Sequence, residues 1–244
     1  STILQGQTSL AALLLVILYL RSVRQENEVQ AGLWSSALSF KPQLLAVPLF
    51  VLAIRRKWRA FMVCVAVIGG LAIFSGIVIG PKAIADYIEI SRRVSGLESD
   101  LGTHPREMQN LRALAVNLGS GLVALYVWAV LGGLTVAGVV ILNRTLRDGD
   151  KSTVVQWIGN LAAILLLSPH VHVHDLALLV VPSALALSLF RDSVPVGLSI
   201  GLILIGILPL LSFVLAHPPP LVPFVLLSVF AFCLWFVRRS TAAA

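Results

Sequence analysis

Three histidines and one aspartate lie close together between two apolar runs in the segment 165–182. They are His170, His172, His174 and Asp175, in a chain that has only five histidines. Ionisable groups are costly at membrane depth, and those that occur there commonly line a cavity or a substrate path. An imidazole or a carboxylate in such a place can contact a phosphate or a sugar hydroxyl, or transfer a proton. We therefore predict that His170, His174 and Asp175 are catalytic residues.

Two other interpretations of this cluster stay open. On an extended segment the three histidines share one face, which permits a three-histidine zinc site. No second group of ligands lies nearby in the sequence, however, and we predict no metal. Alternatively, the cluster is a solvated turn between two helices, in which Pro169 breaks the first helix and Asp175 caps the second.

Two cations are candidates for binding a phosphate. Lys41 precedes Pro42 between two apolar runs, and Arg112 precedes another long apolar run. A lysine binds phosphate as a point charge and an arginine as a planar fork. A lysine that snorkels to the membrane interface, or an arginine that anchors a helix end at the headgroups, is the simpler alternative. Gln7 and Asn110 complete the predicted substrate- and phosphate-binding set, because the topology described below places them on the same side.

The composition determines the class of protein that must position these side chains. Of the 244 residues, 58% are hydrophobic and 12% are charged, and the mean hydropathy is +0.94. Soluble domains contain about 25% charged residues. The net charge of +7 is spread over short basic clusters between apolar runs, as membrane orientation signals are, so we predict no nucleic-acid partner. Cys64 and Cys233 lie inside apolar segments and are predicted to be packing residues rather than a disulfide.

We predict an all-α, polytopic transmembrane bundle of about 7–9 membrane helices, formed by residues 1–244 as one domain. The second candidate span is interrupted by Lys41-Pro42, and proline disfavours helix at the residue before it. It is therefore predicted to form a re-entrant pair of half-length helices with Lys41 at the tip. The candidate spanning segments are 7–20, 30–40 with 43–54, 60–80, 116–142, 153–168, 174–190, 193–215 and 220–237.

The basic residues predict the orientation of the bundle. With a re-entrant pair, the clusters around Arg21, in 55–59, around Arg144 and at Arg238 all fall on one side, which the positive-inside tendency assigns to the cytoplasm. The predicted site residues then collect on the extracytoplasmic side, together with the long loop 81–111. Within that loop, the apolar residues of 82–95 recur at helical spacing. This predicts an amphipathic helix on the outer membrane surface.

Several short motifs follow one another along the chain. They are Gln5-Gly6-Gln7, Ala31-Gly32-Leu33, Lys41-Pro42, Pro48 with the basic run 55–59, Met108-x-Asn110-Leu111-Arg112, and Ser168-Pro169-His170 followed by Asp175-Leu176. In their order and spacing they resemble glycosyltransferase family 87, whose members are integral-membrane, mannosyltransferase-like enzymes of the GT-C class. The resemblance spans almost the whole chain.

The resemblance implies transfer of a sugar, typically mannose, from a polyprenyl-phosphate donor to a lipid or glycan acceptor. The reaction would take place on the extracytoplasmic face of a bacterial plasma membrane and would need no cofactor. Such enzymes use an aspartate of the first outer loop as the base. This chain begins without a Met and without that loop, so we expect it to be the C-terminal portion of a longer protein and to be inactive alone.

Two other classes of function remain open. A transporter or flippase would use the polar cluster as a substrate site at the membrane midplane, and paired broken helices in two related halves would favour it. A non-catalytic membrane scaffold is the second alternative. The sequence contains only one broken pair and no nucleotide-binding loop.

Overall fold

The computed structural model describes residues 2–94, 106, 108–145, 150–171, 175, 178, 184 and 221–242. Within these residues all regular structure is helical, which confirms the predicted all-α class. The helices are α1 (Thr2–Arg24), α2 (Glu28–Ala37), a 3-10 turn (Leu38–Phe40), α3 (Pro42–Ile54), α4 (Trp58–Ile79), α5 (Pro81–Val94), α6 (Leu111–Leu118), α7 (Gly121–Thr145), α8 (Asp150–Leu167) and α9 (Leu221–Ala242). The predicted spans 174–190 and 193–215 lie outside the described residues, apart from three isolated positions.

Three of the described helices are long and apolar enough to cross a membrane, namely Trp58–Ile79, Gly121–Arg144 and Val222–Arg239. Apolar side chains such as Ile73, Phe74 and Ile77 on α4 are mostly exposed in the structure. Large apolar side chains exposed along a helix are stable next to lipid tails and unfavourable in water. The chain is an integral membrane protein.

The broken pair of helices predicted at Lys41-Pro42 is present. Pro42 occupies the first turn of α3, where its missing N–H leaves no hydrogen bond unmade. Glu28 begins α2, and its Oε1 lies 3.6 Å from Nζ of Lys57, which follows α3. Both open ends of the pair therefore lie at the same end of the bundle, as a re-entrant hairpin requires.

Helix α8 forms the centre of the bundle and packs against α7 and α9. Its residues Ile158, Leu161 and Leu165 are fully buried. A Cβ on Gly159 would lie 2.5 Å from Cδ2 of Leu142 and 3.3 Å from Cβ of Cys233, so the absence of a side chain permits the close approach of both neighbours. Cys64 and Cys233 are buried and free, which confirms that they pack as small apolar residues.

The predicted span 116–142 was wrong at its start. The helix that begins at Leu111 ends at Leu118, and a separate spanning helix begins at Gly121. Gly121 has φ +52, a left-handed conformation that favours glycine and that redirects the chain between the two helices. The motif 108–112 therefore leads into the short helix α6, whose first six residues are buried, rather than into a membrane span.

The amphipathic helix predicted at 82–95 is observed as Pro81–Val94. Ile84 packs against Gly76 of α4, whereas Tyr87, Ile88 and Ile90 are exposed. Exposed apolar residues on a helix of this kind are typical of one that lies in a membrane interface. Its position on the outer surface stays a prediction.

Candidate functional site

The predicted site residues Lys41 and Asp175 are in direct contact. Nζ of Lys41 donates a hydrogen bond of 2.7 Å to Oδ1 of Asp175. Oγ of Ser9, on α1, donates to the same carboxylate oxygen at 2.9 Å and accepts a hydrogen bond of 3.1 Å from Lys41. Three segments that are distant in sequence therefore meet in one polar triad of Ser9, Lys41 and Asp175.

Local structure brings Lys41 to this place. The 3-10 turn Leu38–Phe40 ends just before Lys41 and helix α3 begins just after it, so the backbone of Lys41 (φ −125, ψ 75) belongs to neither helix. The side chain therefore projects from the tip of the hairpin. Since α3 has 13 residues, the tip is about 20 Å from the basic end of the pair.

The triad is shielded from solvent. The side chains of Lys41 and Asp175 are 13% and 5% exposed, and Ser9 is buried. Desolvation disfavours both charges, and their short ion pair with an added hydroxyl compensates for that cost. Each charged group consequently depends on the other two members of the triad.

A second group of contacts attaches the segment 108–112 to the turn that follows α8. The backbone N–H of Gln109 donates to the carbonyl of Val171 at 2.9 Å. Nδ2 of Asn110 donates to the carbonyl of Ser168 at 2.8 Å, and Nη1 of Arg112 donates to the carbonyl of Pro169 at 3.4 Å. Two of the motifs singled out in the sequence therefore form one structural unit.

Asn110 has a clear positioning role in this unit. It is fully buried, and its Oδ1 accepts a hydrogen bond from the backbone N–H of Ala113 at 2.9 Å, which caps α6. The side-chain amide of Asn110 therefore caps α6 and holds the 168–171 turn at the same time. Direct contact of Asn110 with a phosphate stays a prediction.

Arg112 and His170 lie in the same unit. The Arg112 side chain is only 2% exposed, and burial lowers the pKa of its guanidinium from the ordinary value. His170 is half-buried, and its carbonyl accepts a hydrogen bond of 3.2 Å from Oγ of Ser168. Only three residues of the sequence separate Val171 in this unit from Asp175 in the polar triad.

The remaining predicted residues are only partly described. Gln7 lies on α1, two residues before Ser9. His172 and His174 lie outside the described residues, so a zinc site there is untested. Among the described residues, His, Cys, Asp and Glu side chains form no group of three or more.

Sequence reasoning missed Ser9. The sequence signal for Ser9 was weak, because a serine in an apolar helix commonly donates its hydroxyl to the backbone of that same helix. Its contact with residues 32 and 166 positions away depends on packing that local sequence does not indicate.

A comparison with protein families shows which family the chain belongs to. The model of glycosyltransferase family 87 matches residues 1–169, which is more than half of the chain. The chain belongs to glycosyltransferase family 87. This confirms the predicted resemblance and makes the protein a member of a family of membrane glycosyltransferases. No curated protein and no solved structure matches the chain.

The family match covers only part of the site. Lys41, Asn110 and Arg112 lie inside the matched range, which ends at Pro169. His170 and Asp175 follow directly after it, and their link to the family 87 region is the set of contacts described above.

Proposed function

We propose that this family 87 member transfers a hexose, namely mannose, from a polyprenyl-phosphate donor to a lipid or glycan acceptor. The site is the end of the bundle that carries the polar triad and the 108–112 unit, which positive-inside orientation assigns to the extracytoplasmic face. The observation that carries the proposal is the buried Lys41–Asp175 ion pair at the tip of the re-entrant hairpin. It supports a preformed position for the ammonium group of Lys41, to which the lipid-linked phosphate would bind.

In this proposal Lys41 and Arg112 bind the donor phosphate. Transfer of the sugar leaves negative charge on that phosphate, and a fixed cation in a site of low dielectric stabilises the charge as it develops. The ammonium group of Lys41 has three donors, of which Asp175 and Ser9 engage two. The third is directed to the phosphate, and Arg112 restores a net positive charge to a site in which Lys41 is balanced by Asp175.

His170 and Asp175 shape the pocket for the sugar or the acceptor. Imidazole can accept or donate a hydrogen bond to a sugar hydroxyl near neutral pH. Asp175, paired with Lys41, orients that cation and assists, rather than performs, the deprotonation of the acceptor. Gln7 completes the proposed phosphate-binding set, and His174 completes the proposed catalytic set.

The test is an assay of transfer from radiolabelled polyprenyl-phosphate mannose to membrane lipids and glycans, with the protein expressed from its natural gene. We expect Lys41→Gln to reduce the transfer rate about 100-fold, by analogy with the loss of one charge-stabilising donor. His170→Ala should lower transfer with expression unchanged. The matched control is Lys57→Gln, since Lys57 also forms an ion pair, with Glu28, but at the opposite end of the hairpin.

Two outcomes would contradict the proposal. If neither mannose nor any other sugar of a polyprenyl-linked panel is transferred, the donor class is wrong. If transfer occurs but Lys41→Gln and Lys57→Gln reduce it equally, the phosphate site is not at the triad.

A further inference from the structure

Helices α2 and α4 run side by side from the basic end of the bundle, where Glu28 meets Lys57. Oε2 of Glu28, in the first turn of α2, accepts a hydrogen bond of 3.4 Å from the backbone N–H of Ala60. One turn further along α2, a Cβ on Gly32 would lie 2.8 Å from Cβ of Val63. The contacts advance together along both helices, so α2 and α4 point in the same direction and their lengths can be compared.

The hairpin is much shorter than α4. Its first arm has the 10 residues of α2 and the three residues of the 3-10 turn, which together rise about 21 Å. Helix α4 has 22 residues and rises about 33 Å. On α1, Ser9 lies about 22 Å from Arg24 at the basic end. The tip of the hairpin and the polar triad therefore stop about 10 Å short of the outer end of α4.

The two ends of α4 mark the boundaries of the membrane. Its first residue, Trp58, is exposed and lies in the basic run 55–59, and both residue types are typical of a membrane interface. After Ile79, Gly80 (φ +87) redirects the chain, and the amphipathic helix α5 follows. The rise of about 33 Å between these ends matches a hydrocarbon core of about 30 Å. The hairpin tip consequently lies within the thickness of the hydrocarbon core.

The hairpin tip is polar at a level where α4 is apolar. Ser39 and Gln43 flank Lys41 at the tip, and both are half-buried. Residues 71–79 of α4, which cover the outer part of the membrane, contain no charged side chain, and Ile73 among them is 67% exposed. Polar side chains at membrane depth are stable where they contact protein or line a water-filled cavity. Lipid therefore suits the exposed side of α4, and water suits the tip.

We propose that the polar triad is an intramembrane site at the floor of a water-containing recess, which opens at the outer end of the bundle and descends about 10 Å below the membrane surface. The short hairpin places charged groups at this depth, and water reaches them from the outer side. The recess is a property of the bundle and holds for any ligand of Lys41.

The depth of the site restricts its substrates. A polar group that binds Lys41 must descend from the headgroup level into the recess. A slender group on a flexible chain can do so, such as the terminal sugar of a glycan or a lipid headgroup, whereas the surface of a folded protein cannot. This restriction on the acceptor rests on the proposed sugar transfer, but the recess itself is tested without it.

The first test measures whether water reaches the hairpin tip. Gln43→Cys and Ile73→Cys place a thiol at about the same depth, one at the tip and one on the exposed side of α4. The two native cysteines are buried and are replaced by alanine in both variants. A thiol reacts as its thiolate, which forms in water and not among lipid tails. We therefore expect a charged methanethiosulfonate, added outside intact cells, to modify Gln43→Cys about 100-fold faster than Ile73→Cys.

The positive control is Ile79→Cys at the outer end of α4, which should react from outside the cells. Equally slow modification of Gln43→Cys and Ile73→Cys would overturn the proposal. Modification of Gln43→Cys only after the membrane is permeabilised would overturn the outer opening of the recess.

The second test measures the depth of the tip directly and does not depend on a polar variant. Phe40 lies at the tip and is 46% exposed, so Phe40→Cys leaves the packing of the hairpin in place. A fluorescent label on this cysteine, quenched by lipids that carry a nitroxide at known acyl positions, should lie about 10 Å deeper than the same label on Ile79→Cys. Equal depths would show that the tip reaches the surface. A protein that shows the recess but transfers no sugar would contradict the proposed function alone.

Discussion

Nζ of Lys41 lies 2.7 Å from Oδ1 of Asp175, although the two residues are separated by 134 positions. The contact joins the tip of the re-entrant hairpin to the segment that follows α8. It also positions Lys41 with help from Ser9, so a single buried triad links α1, the hairpin and the histidine-rich segment. The proposed chemistry and the stability of this end of the bundle therefore depend on the same charges.

Removal of one partner of this pair should destabilise the protein more than removal of both. Lys41→Met leaves the Asp175 carboxylate buried without its cation, at a cost of about 3 kcal/mol. Asp175→Leu should have a similar effect on Lys41. The double variant should recover most of the loss, because no buried charge remains.

Thermal unfolding of the four proteins in one detergent measures this double-mutant cycle. The same cycle for Lys57 and Glu28, whose side chains are about 30% exposed, should show little coupling. Strictly additive effects at Lys41 and Asp175 would contradict the importance of the buried pair.

Asn110→Ala should cost more stability than the loss of an ordinary helix cap. Asn110 caps α6 and also donates to the carbonyl of Ser168, so its removal combines a cap with a buried hydrogen bond, about 2 kcal/mol or more. Asn27→Ala is the matched control, since Asn27 caps α2 at an exposed position and should cost about 1 kcal/mol. Thermal unfolding of both variants tests whether Asn110→Ala loses more stability than Asn27→Ala. Equal losses of stability would show that the hydrogen bond to Ser168 contributes little.

Gly159→Ala should destabilise the centre of the bundle by about 1–3 kcal/mol. The added Cβ would lie 2.5 Å from Cδ2 of Leu142, so the buried Leu142 side chain, or the helix that carries it, must move. Gly133→Ala on α7 is the control, because nothing lies within 4 Å of a Cβ at that position. The melting temperatures of the two variants report the difference. A Gly159 variant as stable as the Gly133 variant would indicate that the helices repack freely.

Asn143 on α7 and Asn160 on α8 exchange two hydrogen bonds between their side-chain amides, and this pair should show a modest coupling. Replacing either residue by Leu leaves one buried amide without its partner, whereas the double replacement leaves none. Interhelical hydrogen bonds in membranes contribute on average about 0.6 kcal/mol, and we expect a coupling free energy of this size from unfolding of the four proteins. A coupling of zero would mean that water or neighbouring groups satisfy the single amides.

The sequence by itself determined the features that depend on composition and local pattern. The apolar content predicted a membrane bundle, Lys41-Pro42 predicted the broken pair, and the helical spacing in 82–95 predicted α5. These features arise from interactions among near neighbours in the chain, or from the solvent that each segment requires. The order of the motifs was also sufficient to indicate family 87.

Only the tertiary structure decided which polar groups meet. Nothing in the sequence near Ser9 indicates its contact with Asp175, and nothing near Asn110 specifies the carbonyl of Ser168. The start of α7 at Gly121 was missed because an apolar run conceals a glycine in a left-handed conformation. Contacts between distant segments depend on how whole helices pack, and local sequence patterns do not specify that packing.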